Sequence, residues 1–170
     1  IKEGIARIWK SYLFQRMTDL YGDIPYSEAF VKPLPKFDTQ ESIYIDLIEQ
    51  INIGKNLLLS EGNYESYGSA DLIYNGSIEK WEKFANVLLL RIALRINSVA
   101  PALSQEVIES VKNGPFFSSN DDNNKMQWDE TSSNIYFRNP ILVTEVFNNT
   151  RVSERMINFL KDHSDPRLIH

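Results

Sequence analysis

The sequence predicts a mainly α-helical fold. Three observations carry that reading. Apolar residues recur at three- and four-residue steps through several long segments, helix-starting and helix-ending residues flank those segments, and no strand–helix–strand rhythm appears that would build a parallel sheet. Five or six helices are expected, joined by two long loops.

The first helix is read from Ile5 through Leu20, with Ile8, Trp9, Tyr12, Leu13, Met17 and Leu20 on one face and Arg7 and Lys10 on the other. Gly22 and Pro25 end it, because glycine tolerates a left-handed cap and proline cannot continue the hydrogen-bond ladder. A connection marked by Pro33 and Pro35 follows. The second helix is expected to open at Asp38 as a capping box with Glu41, and to carry Ile43, Leu47, Ile51 and Leu58 as its stripe. Residues 60–77 are rich in Gly, Asn and Ser and read as a loop.

The third helix has the strongest pattern. Trp81, Phe84, Ala85, Leu88, Ile92, Ile96 and Val99 line one face, and Leu89, Leu90, Ala93 and Leu94 widen the apolar arc, so burial on two sides is expected. Arg91 and Arg95 lie at its margin, where buried guanidinium groups would demand carboxylate or carbonyl partners. Pro101 is expected to close this helix, and a short one to run from Leu103 to Lys112. Residues 116–137 read as irregular, with short strands near Met126–Trp128 and Ile135–Phe137. Two helical turns can follow Pro140, and a last helix begins at Ser153 and stops before Asp165-Pro166. Val152 and Ile157 are placed to form a hydrophobic staple at its start.

Composition narrows the function. The chain has 170 residues, ordinary hydrophobic and charged content of 42% and 24%, and a net charge of -5. An acidic chain lacks the basic face a nucleic-acid binder needs. No apolar run reaches the length that crosses a bilayer. Zero cysteines exclude disulfides, thiolate nucleophiles and cysteine metal sites. The opening inside a helical pattern and the ending on DPRLIH suggest one partial domain over residues 1–170, cut from a longer protein.

The spacing of Trp81, Phe84, Ala85 and Leu88 is that of a tetratricopeptide first helix, although Pro101 and Ser104 stand where its partner should place large and small packing residues. A degenerate helical hairpin is therefore expected rather than a regular array. Three blocks occur in order: TDLYGDIPYSEAF, LIYNGSIEKWEKFANVLLLRIALRI and TRVSERMINFLKDHSDPRL, with FDTQESIYIDLIEQI between the first two. Together they resemble the SusD/RagB family of Bacteroidetes outer-membrane lipoproteins, especially its SusD-like branch. The resemblance implies an incomplete SusD-like scaffold of tetratricopeptide-like hairpins with long irregular loops. It also implies a surface-exposed protein, lipid-anchored through a region outside this sequence. Such a protein would bind oligosaccharide and deliver it to a SusC-like TonB-dependent transporter, without bond chemistry. The alternative is a helical protein-interaction scaffold that binds no sugar.

The exit loop of the first helix holds three carboxylates, Asp19, Asp23 and Glu28, which could suggest the acid and base of a glycoside hydrolase. Nothing nearby would separate their pKa values, so a structural turn is the preferred reading and no catalytic residue is assigned. Residues 120–124, NDDNN, fail the calcium-loop template, with Lys125 at its glycine position and Thr131 at its glutamate position. His163 and His170 show no ligand spacing, so no metal or other cofactor is assigned, calcium staying an unsupported option. Aromatics in the two loops are the remaining candidates, because sugar rings stack their C–H faces on aromatic rings and bond their hydroxyls to nearby polar groups. Trp128 is the first choice, with Asp129, Tyr136, Tyr64 and Tyr67, and with Phe137, Asn63, Glu65 and Asn134 close by. Loop anchoring is an equally good role for each of these taken singly.

Overall fold

A computed structural model describes residues 1–60, 65–126 and 152–169. Residues 1–126 form one compact unit, and the described residues after 151 belong to a second. In the first unit the order is α1 (Lys2–Tyr21), β1 (Ile24–Pro25), β2 (Phe37–Asp38), α2 (Gln40–Leu59), α3 (Ile78–Ile96) and α4 (Pro101–Val111). Short 3-10 turns cover Gly68–Ala70 and Asn120–Asp122. The second unit contains α5 (Glu154–Asp162), packed on the 3-10 turn Pro166–Ile169.

The helices pack as α1 on α2, α2 on α3, and α3 on α4, which is the expected mainly α arrangement of helical hairpins. A close approach lets α1 and α2 meet. A Cβ on Gly4 would lie 2.7 Å from the Gly54 carbonyl oxygen, and one on Gly54 would lie 2.8 Å from Ile8 Cγ1. The core runs from Ile5 and Ile8 through Ile43, Leu47 and Ile51 to Trp81, Leu88, Leu89 and Ile92. Trp81 is its aromatic centre, with Tyr74, Phe84 and Trp9 at ring-centroid distances of 5.2, 5.7 and 6.2 Å. Edge-on pairs at such distances suit the ring quadrupoles.

The stripes of α2 and α3 are buried as expected, and α3 is buried on two sides. Several expectations need correction. In α1, Leu13, Met17 and Leu20 face solvent, while Ser11, Gln15 and Thr18 are buried. The cap of α2 is Thr39, whose side chain accepts from Ser42 N at 3.3 Å, because Asp38 is engaged elsewhere. Val99 falls outside α3 and is exposed, and Pro101 opens α4 at its first turn, where a missing N–H costs nothing. Leu94, Arg91 and Arg95 are exposed rather than buried. Ser104 is the small packing residue after all, buried and donating from Oγ to Ala93 O at 2.8 Å.

The connection marked by Pro33 and Pro35 is flanked by the antiparallel pair Ile24↔Asp38 and Pro25↔Phe37. α5 begins at the expected cap, with Ser153 Oγ accepting from Met156 N at 3.3 Å. Val152 stays exposed, so it does not act as a staple. The short strands expected near 126–128 and 135–137 lie outside the described residues except for Met126, which is not in a strand, and so do the helical turns after Pro140.

Candidate functional site

The exit of α1 is built by its carboxylates. Gly22, at φ 72°, turns the chain, and its N–H donates to Thr18 O at 2.9 Å. Asp23 Oδ1 accepts from Gln40 N at 2.9 Å, satisfying an amide at the start of α2 that has no partner within the helix. Asp38 accepts from Ser27 N at 2.7 Å and Tyr26 N at 3.2 Å, and these bonds hold its carboxyl below the usual range. Glu28 pairs with Lys32 at 2.7 Å and accepts from Lys36 N at 3.2 Å.

Asp19 joins three helices. It accepts from Gln15 within α1, from the Tyr44 hydroxyl of α2, and from Arg95 of α3 at 2.9 Å through Nε. Burial and the bond to Asp19 push the Tyr44 hydroxyl up to about 12, so it remains a donor at neutral pH. Asp23 and Glu28 thus hold backbone amides, and Asp19 ties side chains of three helices together. This is the structural turn the sequence favours.

The loop before α3 closes on Asp71. Its carboxylate accepts from the Trp81 indole Nε1 at 2.7 Å and from the amides of Ile73, Tyr74 and Gly76 at 3.0, 3.2 and 3.0 Å. Burial pushes its pKa up, but the indole and the three amides outweigh burial and hold it low. Gly76 has φ 76°, and a Cβ there would lie 2.6 Å from Gly68 N, so only glycine fits. Next to this loop, Asp122 accepts from Ser118 N at 2.8 Å and pairs with Lys83 at 3.3 Å, which together hold its carboxyl at about 2. The Lys83 ammonium thus lies against the last carboxylate of NDDNN's Asp121-Asp122 pair. Among the described residues, no group of three or more His, Asp or Glu is arranged to hold a metal.

Two open cavities lie among these networks. One, of about 610 Å³, has Asp19, Gln40, Tyr44 and Arg95 on its polar side and Ile45, Val99 and Leu103 on its aliphatic side. The other, of about 480 Å³, is lined by Arg7, Lys10, Tyr26, Asp38, Asp46 and Gln50. The tyrosines lining them, Tyr44 and Tyr26, are both engaged. Tyr44 is buried with its hydroxyl on Asp19, and Tyr26 packs edge-on against Phe14 at 4.7 Å under the Lys10 ammonium.

Of the residues proposed to touch sugar, Tyr67 lies among the described residues. It is 40% exposed, with the Lys2 ammonium 5.9 Å from its ring centre. Trp128, Asp129, Tyr136 and Tyr64 lie outside the described residues, as do Asn63, Asn134 and Phe137. Tyr74, in the same loop as Tyr67, belongs to the core, its hydroxyl donating to Asp122 O at 2.9 Å. Sequence reasoning misses the roles of Asp71 and Asp122. The signal for Asp71 is its position ten residues before a tryptophan in a glycine- and asparagine-rich turn.

Over residues 1–170 the chain matches the model of the SusD-like family, described as starch-binding and associating with the outer membrane. The chain belongs to the SusD-like family. A SusD homologue from Bacteroides uniformis is 35% identical, with a TM-score of 0.74 over 86% of this chain and 30% of its own. A chitin-binding protein is 36% identical, with a TM-score of 0.78 over 97% of this chain and 35% of its own. A chitin-binding SusD homologue from Flavobacterium johnsoniae is 29% identical, with a TM-score of 0.80 over 97% and 35%. The SusD-like chain therefore spans about a third of the length of these solved relatives. A search of the curated proteins found no match. Among the described residues, no helix is long and apolar enough to cross a membrane.

Proposed function

We propose that this SusD-like chain is part of a cell-surface glycan-binding protein that captures oligosaccharide and delivers it to a TonB-dependent outer-membrane transporter. The observation that carries the reading is the match along the whole chain to a family described as starch-binding and associated with the outer membrane. The protein is held at the surface by a lipid anchor outside this sequence, and it binds sugar without cleaving it. Chitooligosaccharides are the first ligands to test, because two of the similar structures are of chitin-binding proteins.

Sugar contacts are assigned to the loops at 63–74 and 126–137, through Trp128 with Asp129, Tyr136, Tyr64 and Tyr67. Stacking on such a ring contributes on the order of 1–3 kcal/mol, by analogy with bases on aromatic platforms.

A glycan array probed with the full-length protein tests the function, with at least one oligosaccharide class expected to bind. Binding of a protein partner with no glycan bound would favour the bare scaffold instead. In the full-length protein, Trp128→Ala should weaken glycan binding about tenfold or more with little change in melting temperature. A sharp fall in melting temperature would make Trp128 a loop anchor. Turnover of a bound glycan that Asp23→Asn abolishes would overturn the assignment of no catalysis.

A further inference from the structure

The turn that leads into α3 carries a chemically fragile pair, and its geometry favours that pair. Gly76 is at φ 76°, and a Cβ there would lie 2.4 Å from Ser66 Oγ and 2.6 Å from Gly68 N. Asn75 before it is at φ 52°, in the left-handed region that asparagine enters more readily than most residues. Asn-Gly is also the pair in which the backbone attacks an asparagine side chain most easily, because glycine puts no side chain in the way.

The attack has defined atoms. The Gly76 amide loses its proton, its nitrogen bonds to Asn75 Cγ, and Asn75 Nδ2 leaves as ammonia. Water then opens the cyclic imide at either carbonyl, giving aspartate or isoaspartate at position 75. Water enters, ammonia leaves, and nothing is oxidised or reduced. Isoaspartate would lengthen the main chain by a carbon in a turn already closed at both ends. Asn75 N donates to Asp71 O at 3.0 Å, and Ser77 N donates to Tyr74 O at 3.1 Å.

We propose that Asp71 guards Asn75 against deamidation, its carboxylate holding the Gly76 N–H whose proton the reaction must remove. Asp71 Oδ2 accepts from Gly76 N at 3.0 Å and from Trp81 Nε1 at 2.7 Å, while Oδ1 takes the amides of Ile73 and Tyr74. A negative charge at hydrogen-bond distance opposes the formation of a second one on that nitrogen. Asp71 is buried, so water screens this opposition less than it would at the surface. A carboxylate held below its usual range is also too weak a base to take the proton itself. The indole bond keeps Oδ2 aimed at the turn. All of these groups lie within residues 66–81, so the guard needs nothing from the rest of the longer protein.

The test incubates the full-length protein, native and urea-denatured, at mildly alkaline pH, where loss of the amide proton drives the reaction. Peptide fragmentation in a mass spectrometer assigns the amide-to-acid mass gain to residue 75. In the native wild type Asn75 should survive at least about tenfold longer than in the denatured chain, the effect of a hydrogen bond to a charged group. Asp71→Asn keeps an acceptor for Ile73 and Tyr74 but turns an amide NH2 toward Gly76 and Trp81. It should lose at least about tenfold of that survival while staying folded by circular dichroism. Trp81→Phe removes the indole bond and loosens the same turn, yet leaves the carboxylate on Gly76, and should stay within about threefold of wild type. Equal losses in the two variants would mean that turn order rather than the carboxylate protects Asn75, which overturns the proposal. An unchanged or slower reaction in Asp71→Asn would overturn it too, the slower one by making the carboxylate a promoting base. Native wild type reacting as fast as the denatured chain would overturn it without any variant.

Discussion

α1 and α3 are almost equal in length, 20 and 19 residues, and both carry apolar residues at helical spacing, yet they use them differently. α3 buries its stripe: Trp81, Phe84, Leu88, Ile92 and Ile96 all lie in the core. α1 buries Ile5, Ile8 and Phe14 but turns Leu13, Met17 and Leu20 outward and takes Ser11, Gln15 and Thr18 inside. The difference lies in what each helix must do at its far end. α3 sits between α2 and α4 and fills its buried face with apolar side chains, Asn86 being the buried polar exception, with its Nδ2 donating to Pro115 O at 2.9 Å. α1 must deliver Asp19 to Tyr44 and Arg95, and its buried polar groups have bonds to make. Ser11 Oγ donates to Arg7 O at 2.8 Å, Thr18 Oγ1 to Gly22 O at 2.7 Å, and Gln15 Nε2 to Asp19. A hydrogen-bonded polar side chain can lie inside at little net cost, so apolar spacing alone does not decide which face is buried.

The largest expected effect sharpens that contrast. Leu88→Ala should cost about 2–5 kcal/mol, while Leu13→Ala, the same change on the outward face of α1, should cost less than about 1 kcal/mol. Chemical denaturation of both variants checks the pair, and similar losses would erase the distinction. Next is the α1–α2 crossing. A methyl on Gly54 would meet Ile8 Cγ1 at 2.8 Å and Gly4 O at 3.0 Å, so Gly54→Ala should cost about 1–3 kcal/mol by overpacking. A stabilised variant would show that the helices can separate freely.

Asp71→Asn probes the polar bond that pins α3. It replaces an acceptor of four hydrogen bonds by a group that accepts fewer, and should cost about 1–2 kcal/mol. Acid should reproduce part of this loss. Asp71 and Asp122 both have folded pKa values below their unfolded ones, so their stabilisation is complete above about pH 4. It fades as pH falls, through about 2 for Asp122. Thermal melts between pH 7 and pH 2.5 should show a falling melting temperature, with a shallower slope in the double variant Asp71→Asn, Asp122→Asn. The smallest effect belongs to the outward face of α1, where Leu20→Ser should change stability by no more than about 0.5 kcal/mol.

Much of the scaffold is legible in the amino-acid sequence. The stripes of α2 and α3, the glycine turn at Gly22 and the cap at Ser153 follow local rules of spacing and backbone chemistry. What is not legible depends on partners distant in sequence. Asp38 has the spacing of a helix cap, but Ser27 and Tyr26 claim it across the β1–β2 pair, and the cap moves to Thr39. Ser104 reads as a flaw in a repeat, yet it bonds Ala93 O inside the α3–α4 hairpin. The candidate site is less legible still. Stacking on sugar imposes no period on a sequence, so the aromatic loops are singled out by what their residues are not needed for. Tyr74, in the same loop as Tyr67 but not among the candidates, is taken into the core.

The central claim is a division of labour, with the exit of α1 as scaffold and the aromatic loops as ligand contact. Asp19→Asn in the full-length protein tests it most directly, because Asp19 sits in the motif-bearing turn and joins α1, α2 and α3. The melting temperature and the dissociation constant for an array-identified glycan are measured on the same preparation. The expected result is a melting temperature lower by several degrees, with the affinity of the folded protein unchanged within about twofold. An unchanged melting temperature with affinity weakened about tenfold would place the ligand on the α1 exit and contradict the division.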